Sequence, residues 1–355
     1  MMASPINEPS APRAIAIVSG KGGSGKTIIG AVLAEIFDAA DQSLILVDAD
    51  TGTAGLTFYF GTELVNNTSV GLTDLFLDPS RLEGDRLTAI VRPIKGFKQA
   101  KFLSVGDYRR FPKDLTDTEM ADRMRIIVGR LKELASFIVF DCRGGLDDES
   151  LAVCRCVDDI LLIVETDTTS YQATQRLVDT LSESDLALKL KGFMINKVFD
   201  NPKTIAKNGT AAFRSQYLTA IPFDFDAMRD FFTGRIPRPQ SVFGVHVQHG
   251  LRQAYSEIIP DPSGRVYSFE EYEEIGFVNL DSLRGGIVLS LFLVASAGVL
   301  LFYWRSPLIV FRPTVPISVA LLTFLGLLGS ISKTRQSVGR AINRLVSFTL
   351  IIKRR

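Results

Sequence analysis

The stretch Ser19-Gly20-Lys21-Gly22-Gly23-Ser24-Gly25-Lys26-Thr27 decides how this chain is read. The apolar run Ala14-Ile15-Ala16-Ile17-Val18 before it predicts a short buried strand, and Ile28 to Phe37 after it predicts a helix. Strand, glycine-rich turn and helix are the context that a phosphate-binding loop requires. Glycines let the backbone curl with its N–H groups turned inward, and the helix N-terminus adds partial positive charge. Gly22, Gly23, Ser24 and Gly25 form the expected cradle. Lys26 has the reach to meet β- and γ-phosphates, and the Thr27 hydroxyl is a candidate Mg²⁺ ligand. Lys21, at the rim, is a lysine that an ordinary phosphate loop does not need, so it is available to a neighbour's nucleotide.

Working outward, further apolar runs alternate with helical spacing. Ser43 to Asp48 and Phe137 to Asp141 predict buried strands ending in acid; Ile160 to Val164 and Gly192 to Ile195 predict two more, the last running into Asn196. Arg92 to Ser104 holds weaker strand candidates, of which Lys101 to Ser104 is the better. Helices are predicted over Thr118 to Leu134, near Glu149 to Val157 and over Thr169 to Leu181. Strands that are unbroken apolar runs, separated by helices, imply an α/β fold: a mostly parallel sheet with helices on both faces. Ligands of such sheets gather at the carboxyl ends of the strands. Asp48, Asp50 and Asp141 all fall on that edge. Asp141 is placed like the acid that holds Mg²⁺ through water. Asp48-Ala49-Asp50 offers two carboxylates turned in different directions, one to support the metal shell and one to orient water. Thr27, Asp48 and Asp141 are thus the candidate metal-site residues, and Lys21, Lys26 and Asp50 the candidate catalytic ones.

The chain has 355 residues, enough for one large domain and something more. Its net charge of +1 hides an asymmetry: Gly285 to Arg355 carries nine basic residues and no acid, leaving 31 basic against 39 acidic residues in the rest. An acidic body does not suggest nucleic-acid binding; a basic tail suggests an anionic membrane surface. Cys142, Cys154 and Cys156 are an odd, sparse set that argues for a reducing compartment, and Cys154 and Cys156, lacking the further ligands a zinc site needs, read as buried small residues. His246 and His249 read as surface or core residues rather than metal ligands. Residues 1–12 read as a flexible tail, not a signal peptide, and 260–286 as an acidic connector. Ile287 to Trp304 and Val315 to Ile331 are uncharged runs whose lengths predict a transmembrane hairpin over 287–331. The richer basic flank, in the tail 332–355, would keep both termini inside, giving a two-pass inner-membrane protein with a cytoplasmic catalytic domain and the lipid bilayer as a partner.

With these residues in view, the chain resembles the MinD/ParA family of deviant phosphate-loop ATPases over roughly Arg13 to Ile259. The resemblance rests on Lys21-Gly-Gly-Ser-Gly-Lys26-Thr27, on Asp48-Ala-Asp50 with the small-residue loop Thr51-Gly52-Thr53-Ala54-Gly55, and on Phe137-Ile-Val-Phe-Asp141 with Gly144-Gly145. Asn196 and Ile221-Pro222-Phe223-Asp224 follow in the expected order. It implies a P-loop NTPase fold, ATP and Mg²⁺ as cofactors, and a homodimer sandwiching two ATP molecules. It also implies that Lys21 acts on the partner's phosphates, that Asp50 orients the attacking water, and that Asn196 and Pro222 contact adenine. Cys142-Arg143 stands where relatives often have Ser/Thr-Pro. The expected function is a membrane-anchored ATPase switch, slow and partner-stimulated, that dimerises on ATP, recruits an unidentified protein and resets by hydrolysis. Two alternatives are a polysaccharide-assembly regulator of the tyrosine-autokinase kind, against which no tyrosine follows Tyr303, and a membrane-disrupting defence effector.

Overall fold

The computed structural model describes residues 11–145 and 147–272. Eight strands form one sheet: β1 (Arg13–Ser19), β2 (Leu44–Asp48), β3 (Arg92–Pro93), β4 (Ala100–Leu103), β5 (Phe137–Gly144), β6 (Asp159–Glu165), β7 (Leu190–Val198) and β8 (Tyr217–Pro222). Their spatial order is β3-β4-β2-β5-β1-β6-β7-β8. Every neighbouring pair is parallel except β3 with β4. The strand before the glycine-rich loop, β1, is therefore interior to the sheet, flanked by β5 on one side and β6 on the other.

The apolar runs are continuous because both faces of the sheet are covered. Along β1, Ala14, Ala16 and Val18 join one core layer while Ile15 and Ile17 join the other. Helix α1 (Lys26–Ala39) is buried over most of its circumference, and shares a layer with the later helix Val242–Ala254 through Ile29, Val32, Phe243, Val247 and Leu251. The remaining helices are α2 (Gly55–Glu63), α3 (Leu72–Leu77), α4 (Asp85–Ile90), α5 (Asp117–Lys132), α6 (Asp148–Cys156), α7 (Thr168–Glu183), α8 (Lys203–Ala212), α9 (Phe225–Phe232) and α10 (Val242–Ala254). The opposite layer is built on α5, α6 and α7, with Met124, Ile127, Leu131, Val153, Leu177 and Leu181 against the sheet. Side-chain caps fix several helix starts. Thr116 and Glu119 form a reciprocal capping box on α5, and Asp147, Asp167 and Ser241 cap α6, α7 and α10.

The expected helices and the expected strands after 43 and 160 lie within two residues of those observed, and the strand expected to end at Asp141 runs three residues further, to Gly144. The strand expected at Gly192 to Ile195 is longer, Leu190–Val198, so Asn196 sits inside it. The segment after residue 260 folds back on the body as far as Tyr272: Tyr272 is buried, and its hydroxyl donates to the Ala220 carbonyl on the outer strand β8. His246 is fully buried beneath it. Its Nδ1–H donates to the Val242 carbonyl at 2.8 Å, and its Nε2 accepts from the Tyr267 N–H at 2.9 Å.

The membrane expectation is corrected. Among the described residues no helix is long and apolar enough to cross a membrane. The longest, α5 and α7, have 16 residues, about 24 Å at 1.5 Å per residue, and carry charges along one face. The two-pass inner-membrane localisation, the two spanning helices in the fold class and the bilayer as partner are therefore not retained. The runs 287–304 and 315–331 and the tail 332–355 lie outside the described residues, as do residues 1–10.

Burial holds His246 neutral and pulls its pKa below the usual histidine value of 6.5. Across the window below 6.5 the unfolded chain takes up a proton that the folded chain refuses, so this group's contribution is present above 6.5 and is lost as pH falls. Denaturant midpoints measured between pH 7.5 and 5.5 should fall more steeply for the wild type than for His246→Phe. At pH 7.5 the variant should be the weaker of the two, because the buried Tyr267 N–H loses its acceptor at a cost of roughly 1–3 kcal/mol.

Candidate functional site

The glycine-rich loop joins β1 to α1 at the carboxyl edge of the sheet. Among the described residues, the backbone N–H groups of Gly22 to Ile28 donate to no protein group, and α1 has no side-chain cap. A row of unspent donors at a helix N-terminus is an anion site by construction. The loop is shaped by close contact. Gly25 has φ of 90°, and a side chain there would collide with the Asn196 amide. Gly144, at the end of β5, lies so near Gly22 that a Cβ would strike the loop backbone.

Lys26 points back along the loop, its Nζ donating to Ser19 Oγ at 2.8 Å. Burial lowers its pKa, and the nearby Asp141 works against that shift. Thr27 Oγ1 donates to Asp141 Oδ2 at 2.8 Å, while Asp141 Oδ1 and Ser24 Oγ are buried without a partner. Burial, then the neighbouring Asp48, pushes the Asp141 carboxyl up to about 7. Asp48 pairs with Asp141 in register between β2 and β5. Its two oxygens accept backbone N–H groups, from Asp50 at 3.0 Å and from Thr57 at 2.7 Å. Asp48 thus anchors the following loop to the start of α2, and burial raises its carboxyl to about 6. Asp50 is folded into its own turn, accepting from the Gly52 and Thr53 N–H groups at 3.0 and 2.9 Å and from the Thr53 hydroxyl at 2.6 Å.

A cavity of about 600 Å³ brings most of the expected residues together: Lys26, Thr27, Asp50, Asn196 and Pro222 all line it. Asn196 is nearly fully buried and donates to the Ser24 carbonyl at 2.8 Å, so in this structure it braces the phosphate loop. Lys21 lies outside the cavity lining. Its Nζ donates to Asp167 Oδ2 at 2.9 Å and pairs with Glu165 Oε2 at 3.1 Å. The hydrogen bonds to Asp167 and Glu165 raise its pKa. The Asp167 carboxyl is held well below the usual range, chiefly by the Thr169 hydroxyl and further by Lys21. Glu165 also holds Lys197 at 2.7 Å, whose Nζ reaches the Gly23 carbonyl.

Sequence reasoning missed Glu165, Asp167 and Lys197. A usable signal was present, since Glu165-Thr166-Asp167 repeats after β6 the acid-x-acid spacing that Asp48-Ala49-Asp50 has after β2. It also missed the apolar wall opposite the loop, made by Phe223, Met228, Phe231 and Phe243. Four phenylalanines among residues 223–232 were the available hint.

A protein-family model described as the CobQ/CobB/MinD/ParA nucleotide binding domain matches residues 15–237. The chain belongs to this family. Among its curated relatives, a MinD-type septum site-determining protein of Nephroselmis olivacea is 29% identical over 181 residues, 50% of this chain and 62% of that protein. An ATP-binding protein of Methanocaldococcus jannaschii is 23% identical over 192 residues, 52% of this chain and 64% of that protein. The chain thus spans less than two thirds of the length of these relatives. Several solved structures share the fold. MinD of Pyrococcus horikoshii, complexed with Mg-ADP, has a TM-score of 0.56 at 20% identity, covering 69% of this chain and 96% of that one. An ATP complex of Cyanothece McdA(D38A) has a TM-score of 0.58 at 16% identity, covering 70% and 97%. MinD in a MinC:MinD complex of Aquifex aeolicus has a TM-score of 0.55 at 17% identity, covering 70% and 98%.

The raised Asp141 pKa carries a stability consequence. Between the unfolded value of 3.8 and about 7 the folded chain holds a proton that the unfolded chain has released. Stability contributed by that protonated acid falls as pH rises through this window, and the cost is complete above it. Asp141→Asn should therefore raise the melting temperature of the ligand-free protein at pH 8, with the gain vanishing by pH 4. Thermal denaturation at the two pH values is the measurement; a gain that persists unchanged at low pH would contradict a buried, titrating carboxyl.

Proposed function

We propose that this protein is an ATPase switch: it binds ATP with Mg²⁺, pairs with a second copy while ATP is bound, engages a partner protein in that state, and resets by hydrolysis. The observation that carries the reading is the row of free N–H donors from Gly22 to Ile28 beside two buried orphan oxygens, Ser24 Oγ and Asp141 Oδ1. Unspent donors of one polarity ask for an anion, and an orphan carboxylate oxygen beside a hydroxyl asks for a cation. Family membership and the fold shared with MinD bound to Mg-ADP and with McdA bound to ATP support a nucleoside triphosphate. The MinC:MinD complex supports a protein partner.

In this reading the loop N–H groups and Lys26 bind the β- and γ-phosphates. Thr27 would hold Mg²⁺ directly and Asp141 would hold it through water, which suits an ion that keeps most of its ligands as phosphate and water. Bound there, Mg²⁺ would neutralise charge on the phosphates. Asp48 holds the Asp50 loop in place. Asp50, released from its turn with Gly52 and Thr53, orients the attacking water. Lys21 is the signature lysine of a deviant phosphate loop and reaches the partner copy's nucleotide once it leaves Glu165 and Asp167. Pro222 and the phenylalanine wall take the base.

Three variants test this. Lys26→Ala should abolish ATP binding in isothermal titration, and unchanged affinity would remove the phosphate-loop assignment. Lys21→Ala should keep ATP binding yet lose ATP-dependent dimerisation in size-exclusion chromatography with light scattering. Asp50→Ala should keep the ATP dimer while phosphate release drops by roughly 10²–10⁴-fold, the usual scale for lost general-base help. A monomeric Asp50→Ala protein in ATP would contradict the assigned switch.

A further inference from the structure

Arg143 occupies a position that the family resemblance leaves unexplained, and its surroundings point to chemistry. It follows Asp141 and Cys142 on the last residues of β5, a rigid element whose next residue, Gly144, is packed against the phosphate loop at Gly22. Its side chain lines the same cavity as Lys26, Thr27 and Asp50. The guanidinium lies across the Asp50 loop: a Cβ at Gly52 would sit 2.7 Å from its Cζ and 2.8 Å from its Nε. Only a residue without a side chain lets the arginine rest there.

The guanidinium is also weakly committed. It is half-exposed, and among the described residues its one ion pair is with Asp147 Oδ2 at 3.7 Å, too long for a hydrogen bond. Asp147 is itself engaged, its other oxygen capping α6 through the Ser150 N–H. Arg143 therefore brings five N–H donors to the phosphate cavity and uses none of them on the protein described. A planar fork with unspent donors matches the oxygens of a phosphoryl group, and does so better than an ammonium point charge.

We propose that Arg143 is a further catalytic residue, a cationic finger supplied by the same chain that contacts the terminal phosphate of bound ATP. This deepens the ATPase reading given above and rests on it. The water oxygen bonds to the γ-phosphorus as the bond from that phosphorus to the β–γ bridging oxygen breaks. The bond pair leaves on the β-phosphate of ADP, and the water's protons end on inorganic phosphate and solvent. Arg143 stabilises charge on the γ-phosphoryl oxygens throughout, while its contact with Gly52 keeps it beside the loop that carries Asp50.

The test compares affinities for ADP and for the slowly hydrolysed analogue ATPγS on the full chain, together with single-turnover hydrolysis. For Arg143→Ala, ADP affinity and melting temperature should stay at wild-type values. The preference for ATPγS over ADP should drop about 10-fold, and hydrolysis by roughly 10²–10³-fold, the range for losing one transition-state donor. Arg143→Lys, which keeps the charge without the fork, should recover part of the ATPγS preference and less of the rate. Equal weakening of both nucleotides would mean a purely structural arginine and overturn the proposal. So would a wild-type ATPγS preference in Arg143→Ala. A wild-type protein that binds neither nucleotide overturns the ATPase reading and this inference with it.

Discussion

The phosphate loop is held in place by excluded volume, and the rest of the site depends on that. Gly25 is pressed against Asn196 from β7, and Gly22 against Gly144 from β5. Gly20 is pressed against the backbone of Ala173 and Thr174 in α7. Three elements that are distant in sequence converge on a loop with almost no side chains of its own. The loop cannot satisfy its own N–H groups in this shape, and nothing else in the described protein does so for it. The strand order makes this possible, because β1 lies between β5 and β6 and delivers the loop to the middle of the carboxyl edge.

Electrostatics then set the cost of the arrangement. Asp48 and Asp141 are both buried and adjacent in register, and each is pushed toward neutrality by burial. Lys26 is a buried cation beside them, pushed the opposite way. The set is mutually stabilising only in part, so the ligand-free site is a place where the fold gives up stability for chemistry. Lys21 follows a different rule. It is partly exposed and held by the exposed Asp167 and the largely buried Glu165, so solvent screens the first contact more than the second.

Much of this was legible in the sequence because the signals were local. Strand, glycine loop and helix sit in one continuous stretch, and Asp48 and Asp141 each end an apolar run. What sequence could not give was contact between distant segments. Asn196 reads from sequence as the end of a strand, yet it lies inside β7, where its amide meets the Ser24 carbonyl across 172 positions of chain while the residue still lines the cavity. Helix α2 escaped detection because its start is fixed by the Asp48 carboxylate rather than by a local cap. The closing of residues 260–272 on β8 depended on single aromatic residues, Tyr267, Phe269 and Tyr272, within an otherwise polar segment. The hairpin expectation drew on the length and flanking charge of two uncharged runs that lie outside the described residues, and among the described residues no helix is long and apolar enough to cross a membrane.

The two ends of the sheet have a bearing on how copies can meet. At one end β3 is two residues long, and one of them is Pro93. At the other, β8 finishes in Pro222 and its Ala220 carbonyl is already taken by the Tyr272 hydroxyl. Among the described residues, each rim is thus interrupted where strand addition would need a continuous row of open N–H and C=O groups. Such interruptions work against the sheets of two copies fusing side by side into one continuous sheet. In the proposed pairing, a face-to-face contact across the loops at the carboxyl edge would be made by side chains and bound ligand, and could be undone without breaking a backbone ladder.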